Sequence, residues 1–313
     1  MSAHPWHEAA WTMLQRRLAG GSLPHALLLQ GDAGLGKRAF ADRLARACLC
    51  EQPLASGDAC GHCRACALLE AGTHPDRVLV SFELNREKNL RSEIVVDQIR
   101  ALSQRLAMAS QFGGWQVALV DPADAMNGAA ANALLKTLEE PSPQSLLILV
   151  ADAPWRLPAT IRSRCQRIVF HAPERAQALD WLREQGLDAA VAAEALTAAG
   201  DNPGAALAMA GNQGLPRRAE VLRDLTALRA GRADPWGVAR QWLADEPDQR
   251  LLLAARELHR QAAGEAASGP PDLQRASDDF IRFNRAREGL RGPLRPELVL
   301  LDALAPLLAE ARP

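Results

Sequence analysis

Gly31-Asp32-Ala33-Gly34-Leu35-Gly36-Lys37-Arg38 is the stretch on which the fold turns. It follows an apolar run, Ala26–Gln30, and opens a segment of helical spacing, Lys37–Leu49, in which Phe40, Leu44 and Ala47 share one face. A strand, a glycine-rich turn and a helix in that order make a phosphate-binding loop. The glycines let backbone N–H groups close round phosphate oxygens, the helix N-terminus adds positive potential, and the lysine reaches the outer phosphates. Gly31, Gly34, Gly36 and Lys37 are therefore the candidate nucleotide contacts. The competing reading is a glycine-rich turn with no ligand, and spacing and context together outweigh it.

Outward from the loop, strands are predicted over residues 78–82, 94–96, 117–120, 146–150 and 168–170, alternating with amphipathic helical segments as in a parallel α/β sheet. Asp97 stands where a helix N-cap is expected. After Pro173 the strand-like runs end and Ala/Leu/Arg/Glu-rich helical periodicity takes over, broken at residues 200–204, 211–216 and 264–272. This predicts a P-loop α/β domain over 1–170, a small helical domain over 171–210 and an all-helical C-terminal domain over 211–313. In the last, Leu251, Leu252 and Leu253, and the run from Leu298 to Leu304, offer apolar faces for neighbours as well as for the domain itself.

The loop lacks parts that hydrolysis needs. The residue after the lysine should be Ser or Thr, whose hydroxyl ligates Mg²⁺, but Arg38 cannot ligate a cation. The strand at 117–120 should end in Asp-Glu and instead ends in Asp121-Pro122. Asp121 can still meet a metal, whereas Pro122 removes the proton-accepting group that activates water. Two independent losses at one site predict no hydrolysis there and leave open whether nucleotide binds at all.

Between the first helix and the second strand, Cys60-Gly61-His62-Cys63-Arg64-Ala65-Cys66 gives two overlapping Cys-x-x-Cys steps, and Cys50 precedes them by ten residues. Four thiolates at this spacing surround Zn²⁺ tetrahedrally, and a closed four-cysteine site leaves no open position for catalysis, so the predicted role is structural. Cys50, Cys60, Cys63 and Cys66 are the predicted ligands, with His62 and His74 as substitutes, and Cys48 is predicted to be a core thiol.

The totals narrow the function classes. Hydrophobic residues make up 48% of the 313, enough for a sizeable core. With 36 basic against 37 acidic residues the net charge is −1, so any contact with DNA is expected to be local or shared with partners. The N-terminus shows no basic stretch followed by an apolar run, and the longest apolar run, residues 146–151, is too short to span a bilayer. A cytoplasmic protein with reduced cysteines and no membrane contact is expected.

Asn132-Ala-Leu-Leu-Lys-Thr-Leu-Glu-Glu-Pro141 and Thr160-Ile-Arg-Ser163-Arg164-Cys165 closely resemble the bacterial clamp-loader branch of the AAA+ ATPases. With the degenerate loop and the four cysteines, the resemblance is to the delta-prime family within that branch. It implies a zinc-bearing α/β domain, a helical lid and a helical collar that joins a hetero-pentameric ring. The implied partners are a delta subunit and ATP-hydrolysing gamma/tau subunits, with a sliding clamp and primed DNA as cargo. The implied role is a non-hydrolysing subunit of the DNA polymerase III holoenzyme. Arg164 matches the arginine finger of the Ser-Arg-Cys motif, acting in trans on a neighbour's ATP site. Gly204 stands where hydrolysing relatives carry a nucleotide-sensing arginine, and the sensor after the strand at 146–150 falls at Ala151 or Asp152. Against this, Leu134, Leu135 and Leu138 read simply as a helix core face, Lys136 as a solvated lysine, and Arg164 by itself as a surface arginine. Two other functions compete: a self-sufficient P-loop ATPase, opposed by Arg38, Pro122 and Gly204, and a zinc-ribbon DNA-binding module, opposed by the near-neutral charge.

Overall fold

A computed structural model describes residues 4–84, 91–265, 273–290, 292 and 294–311. The chain divides into two compact units, Met1–Pro173 and Glu174–Pro313.

The first unit contains α1 (Glu8–Ala19), β1 (Ala26–Gln30), α2 (Lys37–Leu49), α3 (Arg64–Glu70), β2 (Arg77–Val80), α4 (Val96–Leu106), β3 (Gln116–Val120), α5 (Gly128–Glu139), β4 (Ser145–Ala151), α6 (Ala159–Arg162) and β5 (Gln166–Val169). The five strands pair in parallel in the order β2-β3-β4-β1-β5. Central strands of such a sheet are covered on both faces and so read as continuous apolar runs. Every residue of β3 and β4 is buried. Alternate side chains feed two cores. Leu27, Leu29, Leu119, Ile148 and Val150 meet Trp11, Phe40 and Leu44 on one face. Leu28, Ala118, Val120, Leu147 and Leu149 meet Ile99, Leu102, Leu134 and Leu138 on the other.

The expected strand at 94–96 does not form. Ile94 makes one isolated bridge to Met126, and the chain turns at once into α4. Val95 is the N-cap, so Asp97 lies in the first turn rather than at the cap. The Gln98 side chain accepts from Val95 N–H at 3.0 Å and donates to Ser81 O at 2.8 Å. This side-chain cap, in which Gln98 reaches back to the Val95 N–H, favours the helix start over the β-branched preference of Ile94, Val95 and Val96.

Among its described residues the second unit is helical: α7 (Arg175–Glu184), α8 (Ala189–Ala198), α9 (Pro203–Gly211), α10 (Gly214–Arg229), α11 (Pro235–Ala244), α12 (Pro247–Glu265), α13 (Leu273–Gly289) and α14 (Pro296–Leu304). Gly204 lies inside α9, whose start is set by Asn202 accepting from Ala205 N–H and by Pro203 in the first turn, so the break is shorter than 200–204. Of the predicted loop at 264–272, residues 266–272 lie outside the described ones. Leu251, Leu253, Leu300 and Leu304 are taken up by the unit's own core with Trp242 and Phe283, while Leu252 is half-buried. Among the described residues of the unit, the exposed large apolar side chains are instead Val191, Trp236, Phe280, Ile281, Leu294 and Leu298. No helix among the described residues is long and apolar enough to cross a membrane.

Candidate functional site

Parallel pairing brings the carboxyl ends of β1, β3 and β4 to one edge of the sheet, where ligands bind in open α/β folds. The loop after β1 needs its glycines. Gly31, Gly34 and Gly36 have φ of +146°, +92° and +81°. A side chain at Gly31 would lie 2.3 Å from Phe170 O, and one at Gly36 would run into the His4 ring.

The loop's two cations are already engaged. Lys37 is 3% exposed, and its Nζ donates to Gly31 O at 2.6 Å, to Asp32 O at 2.7 Å and to Asp152 Oδ1 at 2.6 Å. An ammonium has three donors, so all three are spent inside the protein. Asp152 reaches Lys37 because Ala151, the last residue of β4, pairs with Gln30, the last residue of β1. Ala151 itself is buried in the strand, so of the two sensor candidates Asp152 is the one that faces the loop lysine.

One residue on, Arg38 Nε donates to Asp121 Oδ2 at 2.6 Å. This hydrogen bond, with the nearby carboxylates of Asp121, Asp152 and Asp124, raises the Arg38 pKa further above its ordinary range. A Ser or Thr hydroxyl and the strand-end Asp would ordinarily share a cation. Here a guanidinium sits on that carboxylate instead. Pro122 follows Asp121 through a cis peptide bond.

The N-terminal segment covers the loop, a feature the sequence reading missed. Trp6 Nε1 donates to Leu35 O at 3.1 Å, and His7 Nε2 lies 2.7 Å from the same oxygen. His7 is 2% exposed and packs edge-on against Phe40 and Phe170, and burial lowers its pKa to about 4. The available signal was a Pro5-Trp6-His7 cluster ahead of an amphipathic helix, which has the look of a packed segment rather than a tail.

The four cysteines converge as predicted by their spacing. Cys50 ends α2, Cys63 caps the N-terminus of α3, and Gly61 takes φ +79° between them. The four Sγ atoms all lie within 4.8 Å of one another, with 3.9 Å between Cys50 and Cys63, 3.9 Å between Cys60 and Cys66, and 3.7 Å between Cys66 and Cys50. A tetrahedron of Zn–S bonds of about 2.3 Å has S···S edges of about 3.8 Å, so the thiols fit a metal ion of that size. Backbone N–H groups of Cys60, Cys63 and Cys66 point at the sulfurs of Cys50, Cys60 and Cys63. Such donors orient and stabilise thiolates. The N–H of His62 leads the interactions that lower the Cys60 pKa to about 7, while burial pushes Cys66 up to about 12. His62 bonds to Cys60 O and His74 accepts from Asp76 N–H, so neither joins the four thiols. Cys48 is a buried core thiol, pushed up to about 12 by burial.

Arg164 follows α6. Its Nη2 donates to Glu139 Oε1 at 2.6 Å and its Nη1 to Thr160 O at 3.0 Å, and its side chain is 37% exposed.

The family model described as "DNA polymerase III, delta subunit" matches residues 6–174, more than half of the chain. A curated relative, DNA polymerase III subunit delta' of Pseudomonas aeruginosa, is 41% identical over 241 residues, covering 76% of this chain and 71% of the relative. The chain belongs to the delta-prime family of DNA polymerase III subunits. The family's member in Escherichia coli strain K12 is 39% identical over 212 residues, 67% of this chain and 61% of that protein. DNA polymerase III subunit tau of Bacillus subtilis is 33% identical over 157 residues, half of this chain and 26% of tau. The family match covers the loop, the four cysteines and Arg164.

Proposed function

We propose that this chain is a non-hydrolysing clamp-loader subunit. In this reading it joins delta and gamma/tau subunits in a hetero-pentameric ring in the cytoplasm, supports ATP-driven loading of a sliding clamp onto primed DNA, and donates Arg164 to a neighbour's ATP site. The observation that carries the first part is the double internal pairing at the loop. Lys37 is neutralised by Asp152 and Asp121 by Arg38, so the partners that a phosphate and a metal ion would seek are spent within the chain. General-base activation is absent at Pro122, and Gly204 offers no sensing cation. A site so arranged has no step to perform, and the chemistry left to the subunit is what it lends to others.

On this reading Gly31, Gly34, Gly36, Lys37 and Asp121 form a degenerate nucleotide site that keeps its shape through its own side chains. Arg164 acts in trans, where a guanidinium stabilises the charge that builds on a transferring phosphoryl group. Zn²⁺ held by Cys50, Cys60, Cys63 and Cys66 is structural, because four protein ligands close its coordination sphere. Residues 171–210 serve as a lid and 211–313 as a collar, with Phe280, Ile281, Leu294 and Leu298 as exposed apolar groups available for assembly. A steady-state ATPase assay on the isolated chain tests the proposal. Turnover indistinguishable from buffer, with and without primed DNA, is expected. Turnover that is lost in Lys37→Met would mean a live motor subunit instead.

A further inference from the structure

Arg164 has a fixed root and a held head. Its backbone N–H donates to Ile161 O at 3.1 Å, and it stands between two buried anchors, Ile161 of α6 and Cys165. Its guanidinium is held by one charged acceptor, Glu139, and one neutral one, Thr160 O. Glu139 is equally well placed. It is the last residue of α5, whose Ala130, Ala131, Leu134 and Leu138 are locked into the core, and the next N–H, that of Glu140, still bonds back to Lys136 O. Two rigid elements thus bring donor and acceptor together across 25 residues of sequence.

We propose that Glu139 is the positioning residue for Arg164, holding the guanidinium in one orientation while leaving donors free for a phosphoryl group on the adjacent subunit; this rests on the reading of Arg164 as a finger in trans. A guanidinium has five N–H donors, and two are engaged, so three remain for an incoming ligand. A freely rotating arginine must lose its rotamer freedom when it meets the phosphoryl, and a side chain already held loses less. The ion pair is exposed on both sides, 37% and 50%, so its contribution to folding is small. A positioning role therefore separates cleanly from a structural one.

The test uses full-length chain in a complex reconstituted with its partner subunits, comparing wild type, Glu139→Ala, Glu139→Gln, Arg164→Ala and the double variant Glu139→Ala/Arg164→Ala. Single-turnover ATP hydrolysis yields a maximal rate and a KM for each. Glu139→Ala should lower the maximal rate at the dependent site about fivefold, the rate equivalent of about 1 kcal/mol, with KM and melting temperature unchanged. Gln keeps an acceptor oxygen without the charge and should fall between Ala and wild type. In the Arg164→Ala background, Glu139→Ala should have no further effect. A wild-type rate for Glu139→Ala where Arg164→Ala is slow overturns the proposal while sparing the finger reading, as does a fully additive double variant. A wild-type rate for Arg164→Ala removes the finger, and the role of Glu139 with it.

Discussion

Replacing Lys37 by Met should cost the first unit stability rather than chemistry. The substitution keeps side-chain length and removes a buried ammonium that donates to two loop carbonyls and to Asp152. Breaking one side of a buried ion pair costs about 3–5 kcal/mol. Asp152 is 33% exposed and regains some water when Lys37 is lost, which sets the loss near the lower end, about 3 kcal/mol. For a unit of this size each kcal/mol moves the midpoint by about 2–4 °C, so calorimetry should show its transition falling by roughly 6–12 °C. Asp152→Asn should cost a comparable amount, because it strands the ammonium. The pair of changes together should cost clearly less than their sum. A Lys37→Met protein melting within about 2 °C of wild type would contradict a structural role for Lys37, since an ammonium free to meet nucleotide has no such structural work. A large upward shift of the wild-type midpoint with Mg·ATP would refute it too, because a ligand that binds only the folded state must raise its stability.

Purified protein should contain one Zn²⁺ per chain, and a strong chelator should expose four titratable thiols and loosen residues 50–75 without unfolding the sheet; metal content well below one per chain contradicts this. Acid should loosen the N-terminal segment. Burial holds His7 neutral with a pKa of about 4, against about 6.5 in the unfolded chain, so the unfolded state takes up the proton first. The stability contributed by His7 is therefore present above pH 6.5 and is lost as pH falls from about 6.5 towards 4, with His4 and Arg43 adding repulsion. Tryptophan fluorescence against pH should show this transition weakened in His7→Gln. In the second unit, Ile281→Glu/Leu298→Glu should leave folding intact, since both side chains are exposed at 43% and 54%, while reducing incorporation into the reconstituted complex on size-exclusion chromatography.

Local signals carried much of the fold. A five-residue apolar run, a glycine turn and a 3.6-residue period set β1 and α2, which form over the predicted Ala26–Gln30 and Lys37–Leu49. The four cysteines were legible for the same reason, because their spacing lies within one turn-rich segment. What the sequence did not display depends on strand order. Asp152 is 115 positions from Lys37 and meets it only because β4 lies beside β1, and Arg38 meets Asp121 only because β3 ends at the same edge. Residues 94–96 misled because three β-branched residues imitate a strand when the Gln98 side chain, which closes the helix cap, is not considered. The leucines at 251–253 and 298–304 were visible as apolar, but which of them the unit would bury could be decided only by packing.

Arg164→Ala in an assembled complex tests the trans-acting role of this subunit most directly. A chain that lends charge to a neighbour's ATP site should, with this change, keep its fold, its zinc content and its place in the ring. Single-turnover hydrolysis at the one dependent site, and the clamp loading coupled to it, should slow by roughly 10³-fold or more, the scale at which trans-acting arginines contribute to phosphoryl transfer. Arg164→Lys should restore little of the rate, because a point charge lacks the guanidinium fork. Wild-type single-turnover kinetics in a fully assembled Arg164→Ala complex would contradict the claim that this subunit acts by donating its arginine.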